Sequence, residues 1–372
     1  MPPFCPGNEY DLFPMFPTDE PSVAGPPGSG GGTARRRATV LDVAARSGVS
    51  AGTVSKVLNG RGQLRAETRQ RVLRAAEELD FRASSPQGTR SGPRSLAVGL
   101  LTTDSIGRFS IPALMGAEEA LGAGRISVLL ADTRGDPFRE RHYLEVMAER
   151  SIDGLIVMGR RSDPRPPLAP PGNLPTIYAL GPSSDPEDIS VVPDNVQGAR
   201  LAIDHLIATG RTRIAHVTGP HDHLAARVRA EVTTEALAAA GLELASGRVH
   251  YGAWSEEWGR QAARIVLRAE ESCDAISCGN DQIGRGVADA LRDMGCRVPD
   301  DVAIVGFDNW DVMAASCRPP LTTIDMNLTE LGRLSATLLR RAIDGDRAPG
   351  VHELPCQLVV RESTGPRAAR TS

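Results

Sequence analysis

Residues 39–60 read TVLDVAARSGVSAGTVSKVLNG, and the spacing of their apolar side chains decides the N-terminal fold. Val40, Val43 and Ala44 recur at helical spacing on one face, Gly48 supplies a tight turn, and Val49 packs inward. Ser50 stands where a second helix needs an N-cap, and Val54, Val57 and Leu58 give that helix its buried face. A third amphipathic stretch, from Ala66 to Leu79, offers Val72, Leu73, Ala76 and Leu79 as support for the pair. Its polar face carries Arg69, Arg71 and Arg74. Two short helices joined by a Gly-containing turn form a helix-turn-helix, whose second helix enters the major groove of DNA.

Charge along the 372-residue chain agrees with this reading. Residues 35–94 carry 13 bases against 5 acids, a net +8, whereas residues 1–34 carry four acids and no base. The remaining residues hold 29 bases and 37 acids, a net −8. A basic block on an acidic body implies nucleic-acid binding by one end only. With 41% hydrophobic and 24% charged residues the composition is that of a soluble globular protein, and no apolar run is long enough to span a bilayer. The first 34 residues have neither the basic nor the apolar region of a secretory signal. The six cysteines, Cys5, Cys273, Cys278, Cys296, Cys317 and Cys356, form no CxxC pair. Their scatter opposes a zinc site and a disulfide framework and suits a reducing cytoplasm. No cofactor is expected.

Residues 1–38 read as a disordered leader, rich in Pro, Gly and Ser, and 39–81 as the helix-turn-helix domain. A linker at 82–95 (RASSPQGTRSGPRS) precedes a core at 96–365 and a short tail at 366–372. In the core, short apolar runs at 96–101, 126–131, 154–158 and 175–180 alternate with helical spacing at 111–124 and 138–150. The rhythm restarts with strands at 213–218, 248–251, 274–278 and 302–306 and helices at 195–209, 226–240, 256–270 and 281–294. Two βα series imply two doubly wound lobes, with ligands bound outside the carboxyl ends of the strands.

The wording of the first motif, DVAARSGVSAGTVSKVLN, resembles the N-terminal signature of the LacI family of transcriptional repressors. The resemblance extends from about Thr39 to Gly365, through SVVPDNVQGARLAIDHLIATGRTRIAHVTGP (190–220), CGNDQIGRGVADALRDMGCRVPDDVAIVGFDN (278–309), RPPLTTIDMNLTELGRLSATLL (318–339) and LPCQLVVREST (354–364). It implies a small all-α helix-turn-helix domain followed by an α/β two-lobed core like the periplasmic sugar-binding proteins, with three crossovers and one ligand cleft. It also implies a homodimer on palindromic double-stranded DNA and a small-molecule effector, a sugar in the first instance.

Carried over residue by residue, the resemblance puts Thr39, Ser50, Thr53, Ser55 and Asn59 on the phosphate backbone, and Ala51, Gly52 and Lys56 at the base-reading positions. Ala51 can meet a thymine methyl, and Lys56 can donate to guanine O6 and N7 or to a phosphate. In the cleft, Arg229, Trp254, Asn280 and Asp308 match effector-gripping positions, each with capping or lobe packing as the alternative. Thr103 and Asp104 are weaker candidates from the first lobe. A purine-like ring stacked on Trp254 is the runner-up effector. His221 and His223 have metal-like spacing but no matching ligand cluster elsewhere, so loop polarity is the better reading. The Met and Leu positions within 326–339 read as core or dimer surface.

The competing function is a solute-binding protein of a transport system, which the helix-turn-helix opposes. An enzyme is opposed by the lack of a P-loop or GxGxxG motif. The linker departs from the family, whose hinge helix carries a leucine that wedges into the minor groove. Pro86 and Gly88 disfavour a helix interior by roughly 3 and 1 kcal/mol, and Arg90 stands where the leucine would fall. Little hinge helix and a less bent operator are expected, with Arg82, Arg90 and Arg94 on phosphates or in a narrow minor groove.

Overall fold

A computed structural model describes residues 39–58, 65–79, 96–122 and 126–365. The expected leader, linker and tail, together with Asn59, lie outside the described residues. The chain falls into two units, Met1–Thr89 and Arg90–Ser372.

The first unit holds α1 (Val40–Ser47), α2 (Ala51–Leu58) and α3 (Ala66–Glu78). Thr39 and Asp42 close a capping box at the start of α1, with the Thr39 N–H donating to Asp42 Oδ2 at 2.7 Å. Gly48 ends the helix at φ +67°, the left-handed conformation that a turn this short demands. Ser50 Oγ accepts from the Thr53 N–H at 3.2 Å and caps α2. Val43, Val54 and Val72 are fully buried where the three helices meet, with Val57, Ala75 and Ala76 around them. Leu73, expected in this core, is 45% exposed. The i, i+3, i+4 stripe of α3 runs through Val72, Ala75 and Ala76, which leaves Leu73 one step of rotation outside it. Val40 is likewise exposed at the end of α1.

The second unit begins with β1 (Leu96–Thr102), α4 (Ser110–Leu121), β2 (Ile126–Asp132), α5 (Pro137–Glu149), β3 (Gly154–Met158), β4 (Thr176–Ala179) and β5 (Ile189–Pro193). A second series follows: α6 (Asn195–Ala208), β6 (Ile214–Thr218), α7 (Leu224–Ala239), β7 (His250–Tyr251), α8 (Glu256–Ala269), β8 (Ala275–Cys278), α9 (Asp281–Asp293), β9 (Ala303–Asp308), α10 (Asp311–Ala314) and β10 (Thr322–Asp325). The chain then forms α11 (Leu328–Ile343), β11 (Gly350–Leu354) and β12 (Gln357–Val359).

Two six-stranded sheets result, in the orders β11-β5-β4-β3-β1-β2 and β12-β10-β9-β8-β6-β7. The first is parallel throughout, and in the second only β12 runs antiparallel to its neighbour. Central strands such as β3 and β9 are buried along their whole length, as sheets covered on both faces require. The chain passes between lobes after β5, after β10 and after β11, as the family resemblance implies. Strands β5, β10 and β11, outside the expected apolar runs, are additions to the reading.

α11 belongs to the first lobe, where Leu331, Leu338 and Leu339 are buried in its core. It meets α4 backbone to backbone: a Cβ on Gly332 would lie 1.8 Å from Ala113 O, and one on Gly116 1.8 Å from Thr329 O. The same device joins α8 to α9, where a Cβ on Gly286 would lie 2.0 Å from Glu256 O. Any side chain at these glycines would force the paired helices apart.

Candidate functional site

On the isolated head, Val54 and Val57 hold one face of α2 inward while Gly52, Ser55 and Lys56 lie exposed on the other. Thr53 is half-buried, and its hydroxyl lies 2.9 Å from Ser50 Oγ. Among the described residues a Cβ added to Gly52 would meet only Ser50 Oγ, at 3.8 Å, so the face around Ala51 and Gly52 is smooth. Thr39 keeps its cap at the α1 N-terminus, where the backbone N–H groups also face outward.

In the core, the strand ends of the two lobes enclose a cavity of about 310 Å³. Arg229, Trp254, Asn280 and Asp308 all line it, as does Asp104. Thr103 does not; it borders an adjoining cavity on the first lobe. Asp104 is occupied as a cap, because its Oδ2 accepts from the N–H groups of Phe109 (2.7 Å) and Ser110 (3.0 Å) and fixes the start of α4.

Asp308 ends β9 with φ +105°, a conformation that costs a non-glycine residue on the order of 1 kcal/mol or more. Two guanidiniums converge on its carboxylate. Arg108, from the β1–α4 loop of the first lobe, donates to Asp308 Oδ2 at 2.7 Å and to Gln282 Oε1 at 3.0 Å. Arg229, from α7 of the second lobe, lies 3.8 Å from Asp308 Oδ1. Burial pushes the Asp308 carboxyl up from its ordinary range, and the two arginines pull it back.

Arg229 is 5% exposed and lies over the Phe307 ring, 3.5 Å from its centroid. Its fork donates to Asn195 Oδ1 at 3.0 and 2.8 Å and to Gly279 O at 2.5 Å. It also reaches Met326 Sδ at 3.8 Å. Asn195 follows the first crossover and Met326 lies in the second, so one side chain joins the cleft to two of the segments that connect the lobes.

Asn280 both caps and lines. Its Oδ1 accepts from the Ile283 N–H at 2.9 Å at the start of α9, while its buried Nδ2 has no partner among the described residues. Trp254 packs flat on Gly219, and its Nε1 donates to His223 Nδ1 at 2.8 Å. Burial lowers the His223 pKa, which keeps the ring neutral and able to accept. His221 instead meets Tyr251 edge-on at 4.9 Å, so the two histidines do separate work.

Sequence reasoning missed Arg108, Asp163, Gln282 and Trp310, all in the cavity wall. Asp163 Oδ1 accepts from the Leu224 N–H of the opposite lobe at 2.9 Å. These residues carry no periodic pattern, but each follows a strand end or opens a helix at one, and the rule placing ligands at the carboxyl edge was the available signal.

Below Asp308, the carboxyl of Asp281 is fully buried and pushed up to about 8, by burial first and by the Asp308 charge second. Thr323 Oγ1 lies 2.6 Å from its Oδ1, and the Trp310 N–H donates to Oδ2 at 2.7 Å. The folded chain therefore holds this proton where the unfolded chain, with an ordinary value of 3.8, has lost it. Stability should fall as pH rises from about 4 to 8, by at most about 1.4 kcal/mol per unit from this group. Asp281→Asn mimics the protonated acid, with its amide donating to Thr323, and is expected to flatten that decline. Urea unfolding of both proteins at a series of pH values checks it; parallel curves would show that Asp281 holds no proton.

The family of bacterial regulatory proteins, lacI family, matches residues 39–84, and the periplasmic binding protein-like domain matches residues 203–364. The HTH-type transcriptional regulator CelR of Thermobifida fusca is 35% identical, over 88% of this chain and 99% of its own length. The HTH-type transcriptional repressor PurR of Photobacterium profundum is 31% identical, over 88% and 98%. Among solved structures, a CelR–cellobiose complex aligns with a TM-score of 0.61 at 31% identity, over 88% of this chain and 100% of that one. The lac repressor dimer bound to operator and the anti-inducer ONPF aligns with a TM-score of 0.69 at 26% identity, over 89% and 100%. With a helix-turn-helix head, a two-lobed core and regulators of transcription as its relatives, the chain belongs to the LacI family of bacterial regulatory proteins and is not an enzyme.

Proposed function

We propose that this chain is a cytoplasmic repressor that binds a palindromic operator as a homodimer and responds to a small sugar in the interlobe cleft. The observation that carries the effector reading is the carboxylate of Asp308, held between guanidiniums from opposite lobes in a cavity walled by Trp254 and Trp310. Alternating donors and acceptors beside aromatic faces suit a ring bearing hydroxyls. The CelR structure, a cellobiose complex, supports the same class. A sugar that engages Asp308 or Arg229 competes with the bonds from Arg229 to Asn195 and Met326, and so biases how the lobes sit at their crossovers. That bias changes how well two heads fit two half-sites.

The dimer reading is supported by apolar side chains left exposed on the first lobe: Ile111 (54%) and Met115 (57%) on α4, and Leu130 (50%) on the edge strand β2. No helix among the described residues is long and apolar enough to cross a membrane.

Selection of binding sites from random duplexes by the full-length protein tests the DNA half. The expected yield is an inverted repeat of roughly 14–20 base pairs with half-sites about one helical turn apart. Lys56→Ala should relax preference at one position per half-site, and Ser55→Ala should weaken all sites alike. Recovery of asymmetric sites alone would refute the dimeric reading.

A further inference from the structure

Beside the cleft lies a second cavity of about 470 Å³, on the first lobe alone. The two share Arg160, Arg161 and Asp163 in their walls, so they adjoin. The second cavity sits over the carboxyl ends of three neighbouring strands: Thr103 follows β1, Arg134 follows β2, and Gly159 to Arg161 follow β3. β1 lies between β2 and β3, and the chain leaves it first to one side and then to the other. This is the switch point at which doubly wound sheets bind ligands.

The charge of this wall is one-sided. Arg134, Arg160, Arg161 and Arg165 line it, with Asp163 as the one carboxylate among the described residues. Arg165 is committed, because both of its terminal nitrogens donate to Glu140 at 3.0 Å. Asp163 spends one oxygen on the Leu224 N–H. The side chains of Arg134, Arg160 and Arg161 make no hydrogen bond or ion pair among the described residues. Arg134, Arg160 and Arg161, of which Arg134 also feels the nearby Asp132 carboxylate, thus line with Thr103 one pocket that adjoins the effector cleft. Guanidinium forks recognise phosphate with paired, charge-assisted hydrogen bonds.

We infer that the effector carries a phosphate monoester, seated on Arg134, Arg160 and Arg161, while its sugar ring occupies the cleft. This rests on the cleft being the effector site, and it gives Thr103 a place that the cleft itself does not.

Isothermal titration of the full-length protein with glucose, cellobiose, glucose 6-phosphate, cellobiose 6′-phosphate and orthophosphate tests it, with an Arg134→Gln/Arg161→Gln variant in parallel. A phosphorylated sugar should bind at least about tenfold more tightly than its neutral parent, and the variant should lose that gain. If neutral sugars bind and the phosphate adds nothing, or if the gain survives in the variant, the inference fails while the cleft reading stands. If orthophosphate alone binds as tightly as the sugar phosphate, the anion is a separate ion and the inference fails. If no sugar binds in either form, both readings fall.

Discussion

Replacing Arg229 by alanine is expected to destabilise the core by about 3–5 kcal/mol, the usual cost of removing one partner of a buried ion pair. The loss has several parts. Asp308 keeps only Arg108, the Asn195 amide oxygen loses both of its guanidinium donors, and the Phe307 ring loses the cation above it. For a domain of this size the change should lower Tm by on the order of 10 °C. Arg229→Lys retains the charge but not the fork, so it should fall between the two. Thermal unfolding of the three proteins is the measurement, and an Arg229→Ala variant melting within about 2 °C of the parent would contradict the bonding described here.

The largest effect expected at the head is on salt dependence. If a dimer makes six or more phosphate contacts through its hydroxyls, helix N-termini and arginines, its affinity should drop by roughly a thousandfold between 50 and 200 mM salt. Arg69, Arg71 and Arg74 are exposed on α3, and Lys56 is exposed on α2. Fluorescence anisotropy of a labelled operator at several salt concentrations gives the slope. Lys56→Ala then separates the two readings of that residue. A phosphate contact flattens the slope by about one, whereas a contact to guanine leaves the slope and costs affinity only for the correct base. A slope near zero would mean that the basic block does not hold DNA by its phosphates.

How far the sequence could be read depended on whether position or direction was at stake. The turn at Gly48, the cap at Ser50 and the burial of Val54 and Val57 follow from spacing within a few residues, and they stand as read. Leu73 was misplaced because α3 is short and alanines rather than larger side chains fill its buried stripe, so the pattern underweights Ala75. In the core, apolar runs located most of the strands. Strands such as β10 escaped because TTID is polar in composition, yet Thr322 and Thr323 are buried through hydrogen bonds to Ser363, Thr364 and Asp281 rather than by apolar character. The cleft was half legible. Arg229, Trp254, Asn280 and Asp308 came from the family resemblance, whereas Arg108 and Asp163 come from irregular loops of the first lobe. A loop side chain's direction is set by the tertiary fold, and no local periodicity encodes it.

A ligand in the cleft is expected to change DNA affinity through Arg229 and Asp308. This coupling is tested most directly by measuring operator affinity of the full-length protein with and without saturating sugar or sugar phosphate, for the parent and for Asp308→Ala. A ligand-dependent change of about 5- to 150-fold is expected in the parent, the usual span of allosteric coupling, and none in Asp308→Ala. A ligand that binds the parent yet leaves its operator affinity unchanged, or a response that persists undiminished in Asp308→Ala, would contradict it.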